Sequence, residues 1–149
     1  MLSKEERFEL AASYRTKSDE AIAAAELCLN DNDKRCYRAA YNRAWYATMQ
    51  LMTAATYEKL LDEEPPSDMD YWPHRRQRAL FKKLLYEAGQ HRNTDSKDLR
   101  AFIDVLLDWR VVADYGCPDE VLFDRQQVEQ AIGRAKSLRH RIYSIIGKK

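Results

Sequence analysis

Arg110 and Asp114 stand where the surrounding pattern calls for apolar side chains. Leu99, Ile103 and Leu106 recur at steps of three and four residues, the spacing of one helix face, and the same rhythm then lands on Arg110 and Asp114. Burying an isolated ion is costly, so residues in such positions face each other, a cavity or a ligand. Two readings fit the pair. They form an intrahelical ion pair one turn apart, or they belong to a polar centre that also takes in the adjacent Tyr115. The pair reading puts the charges in the less favourable order, because Asp114 lies nearer the helix C-terminus, where the macrodipole disfavours an anion.

A second group of chemistry-bearing residues lies earlier. Placing residues 34–61 at helical intervals gathers Ala40, Tyr41, Ala44, Trp45, Ala47, Leu51, Met52, Ala54 and Ala55 on one broad apolar arc. The opposite sector carries Arg35, Asn42, Arg43, Tyr46, Gln50 and Thr53, which supply guanidinium, amide and hydroxyl groups within a few turns. That strip is either a solvated face or one wall of a binding cleft. His74 follows a segment, Asp62 to Pro73, whose three prolines forbid regular helix, and Tyr71 and Trp72 within it are placed to cover a groove or join an interface.

The elements that must position these groups are helices. Four Gly and four Pro in 149 residues, with no alternating runs of β-branched residues, predict an all-α fold, and the length predicts one domain over residues 1–149. Ser3 and Glu6 form a capping box for a first helix over about Lys4 to Leu29, with Leu10, Tyr14, Ala21, Ala25 and Cys28 as its apolar positions. Asn30 to Asp33 make a turn into the second helix, over about Lys34 to Leu61. A third runs from His74 to Ala88, and a fourth begins after Thr94 or Asp95 and carries Arg110. Asp124 caps a last helix whose core stripe is Val128, Ile132, Ala135, Leu138, Ile142 and Ile145.

Charge and cysteine usage narrow the function classes. Lys plus Arg total 25 against 24 Asp plus Glu, so there is no global field to steer the chain onto nucleic acid or an anionic membrane, and anion binding must be local. The first residues lack a signal-peptide core and no segment is long enough to span a bilayer, which predicts a cytoplasmic protein with no membrane partner. Cys28, Cys36 and Cys117 show no Cys-x-x-Cys spacing, so neither a disulfide framework nor a zinc site is expected.

In order and spacing, Asn42-Arg43-Ala44-Trp45-Tyr46-Ala47, then His74, then Arg110-x-x-Ala113-Asp114-Tyr115-Gly116 resemble the HEPN domain (higher eukaryotes and prokaryotes nucleotide-binding), in its small prokaryotic branch. The resemblance runs from about Ala11 to Ile146. It implies an up-and-down bundle of four or five helices that forms a homodimer, with polar residues gathered near the dimer cleft. Many members are metal-independent ribonucleases, often in toxin–antitoxin or defence systems, and others are inert partners of a minimal nucleotidyltransferase; no metal or cofactor is implied. In the active type an Arg stabilises phosphorane charge and a His four to six residues later moves protons at the ribose 2′-hydroxyl.

This chain departs from that pattern, because the stretch after Arg110 reads Val-Val-Ala-Asp-Tyr-Gly-Cys, without His. As an enzyme it would use Arg110 on the phosphate and Asp114 or His74 for protons, with Asn42, Arg43, Tyr46 and Tyr115 binding nucleotide or RNA. As a binding module the same residues hold RNA or a nucleotide without turnover. As a structural partner, Arg110 and Asp114 lock packing. Arg134 and His140 also satisfy the bare Arg/His spacing, but on a continuous helix they point about 120° apart and read as coincidence.

Overall fold

The computed structural model describes residues 2–31, 35–66, 68–88, 97–101, 103–104 and 124–146, apart from the side chains at 35, 143, 145 and 146. Helices α1 (Lys4–Asn30), α2 (Arg35–Lys59), α3 (His74–Glu87), α4 (residues 97–101 and 103–104) and α5 (Arg125–Ile146) supply all the regular structure among these residues. They pack as an all-α bundle around one main core. Among the described residues, no helix is long and apolar enough to cross a membrane.

Ser3 opens α1, its Oγ accepting the Glu6 N–H at 3.1 Å, as the capping box predicts. The buried face of α1 is Arg7, Ala11, Tyr14, Ser18, Ile22, Ala25 and Leu29, at steps of three and four residues. The expected apolar positions Leu10, Ala21 and Cys28 lie on its flanks, only partly buried. The true stripe was obscured because it contains a cation and a hydroxyl. Ser18 is fully buried and donates to the Ala47 carbonyl at 2.8 Å, and Arg7 meets the far end of α2. Those two contacts make α1 and α2 antiparallel. Small residues on both sides, among them Ala11 and Ala25 on α1 and Ala40, Ala44 and Ala54 on α2, allow the backbones to approach closely.

Each helix end needs partners for its last carbonyls. Arg7, 2% exposed, supplies them for α2: Nε donates to the Tyr57 carbonyl at 3.0 Å and Nη2 to the Leu60 carbonyl at 2.5 Å, while Nη1 pairs with Glu64 at 3.2 Å. Arg125 does the same for α1, donating to the Leu29 carbonyl at 3.2 Å. In both cases the cation sits at the negative pole of another helix.

The apolar arc of α2 is buried as its pattern predicts, but α2 is covered well beyond that arc. Thr48, Thr53 and Thr56 are buried, each donating to the carbonyl four residues back at 2.8 to 3.1 Å. Thr53 therefore does not belong to a solvated strip. Gln77 of α3, fully buried, reaches over it: its Nε2 donates to Thr56 Oγ1 at 2.7 Å and to the Met52 carbonyl at 3.1 Å, and its Oε1 accepts from Thr53 at 3.3 Å. Leu99 and Ile103 bury α4 in the same core, and Asp104 pairs with Arg78 and Lys82 of α3. Asp124 caps α5 through the Gln127 N–H at 2.8 Å, and Val128, Ile132, Ala135, Leu138 and Ile142 form its buried stripe.

Candidate functional site

A cleft of about 440 Å³ opens where α1, α2 and the 61–73 connection meet. The α2 wall is Tyr46, Met49, Gln50 and Thr53, successive positions on one face of the helix. Opposite stand Tyr14 and Lys17 of α1, and Asp70, Tyr71, Trp72 and His74 close the end. The cleft thus gathers an ammonium, a carboxylate, an imidazole, a primary amide and phenol hydroxyls beside aromatic surface. Its size falls in the range of roughly 300–1,000 Å³ usual for small-molecule sites.

The connection that closes the cleft is tied down at several points. Tyr14 and Tyr57 both donate to the Asp70 carbonyl, Tyr14 at 3.0 Å, and Tyr14 also reaches Asp70 Oδ1 at 2.8 Å. Trp72 is 2% exposed, its indole N–H on the Glu64 carbonyl at 3.2 Å and its ring 4.8 Å from that of Tyr57. Glu64 accepts in turn from Arg7 and from the Leu2 N–H, while Glu63 pairs with Arg76 and Lys83. The prolines make this segment irregular, and part-buried hydrogen bonds tie its described residues to α1 and α2.

Burial, with the Asp70 hydrogen bond and charge behind it, holds the Tyr14 hydroxyl well above its ordinary range. Burial, reinforced by the Asp70 charge, pushes Tyr57 up to about 12. Both therefore act as neutral donors at physiological pH, which is what an acceptor carbonyl requires. Lys17 lies over the Tyr14 ring, 4.4 Å from its centroid. Tyr14 thus carries the ammonium on its face and the carboxylate at its hydroxyl.

Of the residues singled out from sequence, Tyr46 and His74 line the same cleft although they derive from separate motifs, together with Gln50 and Thr53 of the polar strip and Tyr71 and Trp72 of the proline-rich segment. His74 is the first residue of α3, and its ring makes a T-shaped contact with Trp45, centroids 5.8 Å apart and planes at 77°. Asn42 and Arg43 lie one turn before Tyr46 and do not line the cleft; Arg43 is exposed, and Asn42 Oδ1 is buried with no hydrogen-bond partner among the described residues. Arg110, Asp114 and Tyr115 lie outside the described residues, as do His91 and Cys117.

Sequence reasoning missed Lys17, Met49 and the wall role of Tyr14, and it covered Asp70 only within the proline-rich segment Asp62 to Pro73. A signal for α1 was present, since Tyr14 and Lys17 are three residues apart and share a face. Arg134 and His140 are exposed on α5. His140 borders a second hollow of about 450 Å³, where Arg139 pairs with Asp19 at 2.9 Å. Nearby, Lys136 pairs with Glu26 at 2.7 Å. Among the described residues, no group of His, Cys, Asp and Glu is arranged to hold a metal ion. No protein-family model, curated protein or solved structure matches the chain.

Proposed function

We propose that the protein is a nucleotide- or RNA-binding module of the HEPN type, acting as a homodimer in a toxin–antitoxin or defence setting, with one nucleotide seated in the cleft of Tyr46 and His74. The observation that carries this reading is that those two side chains, chosen from separate sequence motifs, line one cleft with Lys17, Gln50, Asp70 and Tyr71. Aromatic rings offer a base its π-face, an ammonium offers a phosphate a counter-charge, and the amide and carboxylate can read a base edge. A ribonuclease reaction would add Arg110 on the phosphate and His74 or Asp114 for proton transfer, with Asn42, Arg43 and Tyr115 as further RNA contacts. The absence of His after Arg110 favours binding without turnover, the arrangement expected of a module that partners a nucleotidyltransferase.

Fluorescence anisotropy with a short labelled single-stranded RNA tests the binding. The wild-type chain should bind with a salt-dependent affinity, and Tyr46→Ala and His74→Ala should each weaken binding about tenfold, the scale of one lost stacking contact. Failure of both RNA and free nucleotides to bind defeats the reading. Incubating the same RNA with wild type and Arg110→Ala in chelator separates the two forms: cleavage by wild type alone assigns a metal-independent ribonuclease, and no cleavage by either assigns a binding module.

A further inference from the structure

We infer that the cleft selects guanine, through Asp70, among the bases it could accept; this rests on the nucleotide-binding reading above. Three observations converge. Asp70 is exposed at the cleft, yet its carboxylate is not free to turn, because Oδ1 accepts from the Tyr14 hydroxyl at 2.8 Å, a proton shared with the Asp70 backbone carbonyl at 3.0 Å, and Tyr57 donates to that same carbonyl. Tyr71 follows directly, 45% exposed, and offers a ring on which a planar base can stack. Lys17 is held over the Tyr14 ring, on the same wall, where it can meet a phosphate.

A carboxylate is acceptor-only, so an oriented one rewards a base edge that presents donors side by side. Guanine alone does so, with N1–H next to the 2-amino group. Adenine and cytosine put a ring acceptor beside their amino group, and uracil flanks its single N–H with two carbonyls. A carboxylate facing any of these three leaves lone pairs opposed or a donor unmet, and a site built on hydrogen bonds rejects such analogues more strongly than an apolar pocket would. Tyr14 supplies the preorganisation: the carboxylate is aimed before the ligand arrives.

Asp70→Asn reverses the pattern with little demand on the fold. Asn Oδ1 can still accept from Tyr14, the two bonds to the backbone carbonyl are untouched, and the outward atom becomes a donor. Calorimetric titration of the full chain with the 5′-monophosphates of guanosine, inosine and adenosine reads the result. Wild type should favour guanosine over adenosine about tenfold or more, with inosine, which lacks the 2-amino group, in between. Asp70→Asn should lose that preference and bind the adenosine nucleotide at least as well as wild type does, with its melting temperature confirming a folded chain. Tyr71→Ala should weaken all three about tenfold and leave their ratio unchanged. Equal affinities for guanosine and adenosine nucleotides in a wild type that still binds RNA overturn the guanine assignment alone. Retention of the full preference by Asp70→Asn overturns it as well. No binding of any nucleotide or of RNA overturns the binding reading with it.

Discussion

Tyr14 and Tyr57 concentrate two demands on single side chains: each fills the core with a ring and donates a hydrogen bond to the Asp70 carbonyl. The consequence is a dependence on alkali. Unfolded tyrosines ionise near pH 10, whereas Tyr57 in the fold is pushed up to about 12 and Tyr14 is shifted the same way. A folded pKa above the unfolded one means that the contribution to stability is complete below about pH 10 and is lost as pH rises toward 12. Thermal melting should therefore hold level from neutral to mildly alkaline pH and fall beyond about pH 10, and Tyr57→Phe should make that fall shallower. Part of the absorbance change at 295 nm from the nine tyrosines should appear only as the chain unfolds. At this scale the sequence was partly legible. Tyr46 stood out as a member of the polar strip and of the Asn42–Ala47 motif, and His74 through its place between that motif and the one at Arg110. Lys17 did not, since an exposed lysine on a helix carries no mark of what lies across from it, and Asp70 looked like any loop acid until two distant tyrosines were found on it.

At the scale of the element, the helices were readable where their faces are purely apolar, as on α5, and misread where capping or an interhelical hydrogen bond placed polar atoms in the stripe. On α1 the buried register passes through Arg7 and Ser18; Tyr14 and Ala25 lie on it as the periodicity predicts, whereas Leu10, Ala21 and Cys28 fall one position off it. Arg7 is buried because α2 ends there and its carbonyls need a donor, a reason that resides in a different element and is invisible from α1 alone. The same holds for Gln77, whose amide completes a hydroxyl network on α2. Arg7→Met keeps the volume and removes the donors, leaving the Tyr57 and Leu60 carbonyls and Glu64 without their cation. Urea unfolding should show a loss of about 3 kcal/mol, the order expected when one partner of a buried pair is deleted. Arg139→Ala, which breaks an exposed pair with Asp19, serves as the control and should cost under about 1 kcal/mol.

For the whole molecule, the all-α class and the helix boundaries near Ser3, His74 and Asp124 followed from capping residues and composition, while the cleft required knowing which elements meet. A near-zero net charge also concealed a local arrangement. Five acids lie between Asp62 and Asp70 and five basic side chains between Arg75 and Lys83, and Glu63 joins the two segments through Arg76 and Lys83. The 61–73 connection joins bundle and site, and its anchoring decides how the protein meets a protease. Met69 and Tyr71 are exposed and offer cleavable side chains at what composition alone marks as a vulnerable stretch. A protease must draw out an extended run of backbone, however, and here that means releasing the Asp70 carbonyl from both tyrosines, the Trp72 indole from Glu64 and Glu64 from Arg7. Nicking by chymotrypsin in this segment should accordingly track global unfolding, with a rate that falls as stability rises, whereas a loosely attached loop would be cut at a rate indifferent to it. The longest irregular stretch among the described residues then behaves as part of the cooperative unit.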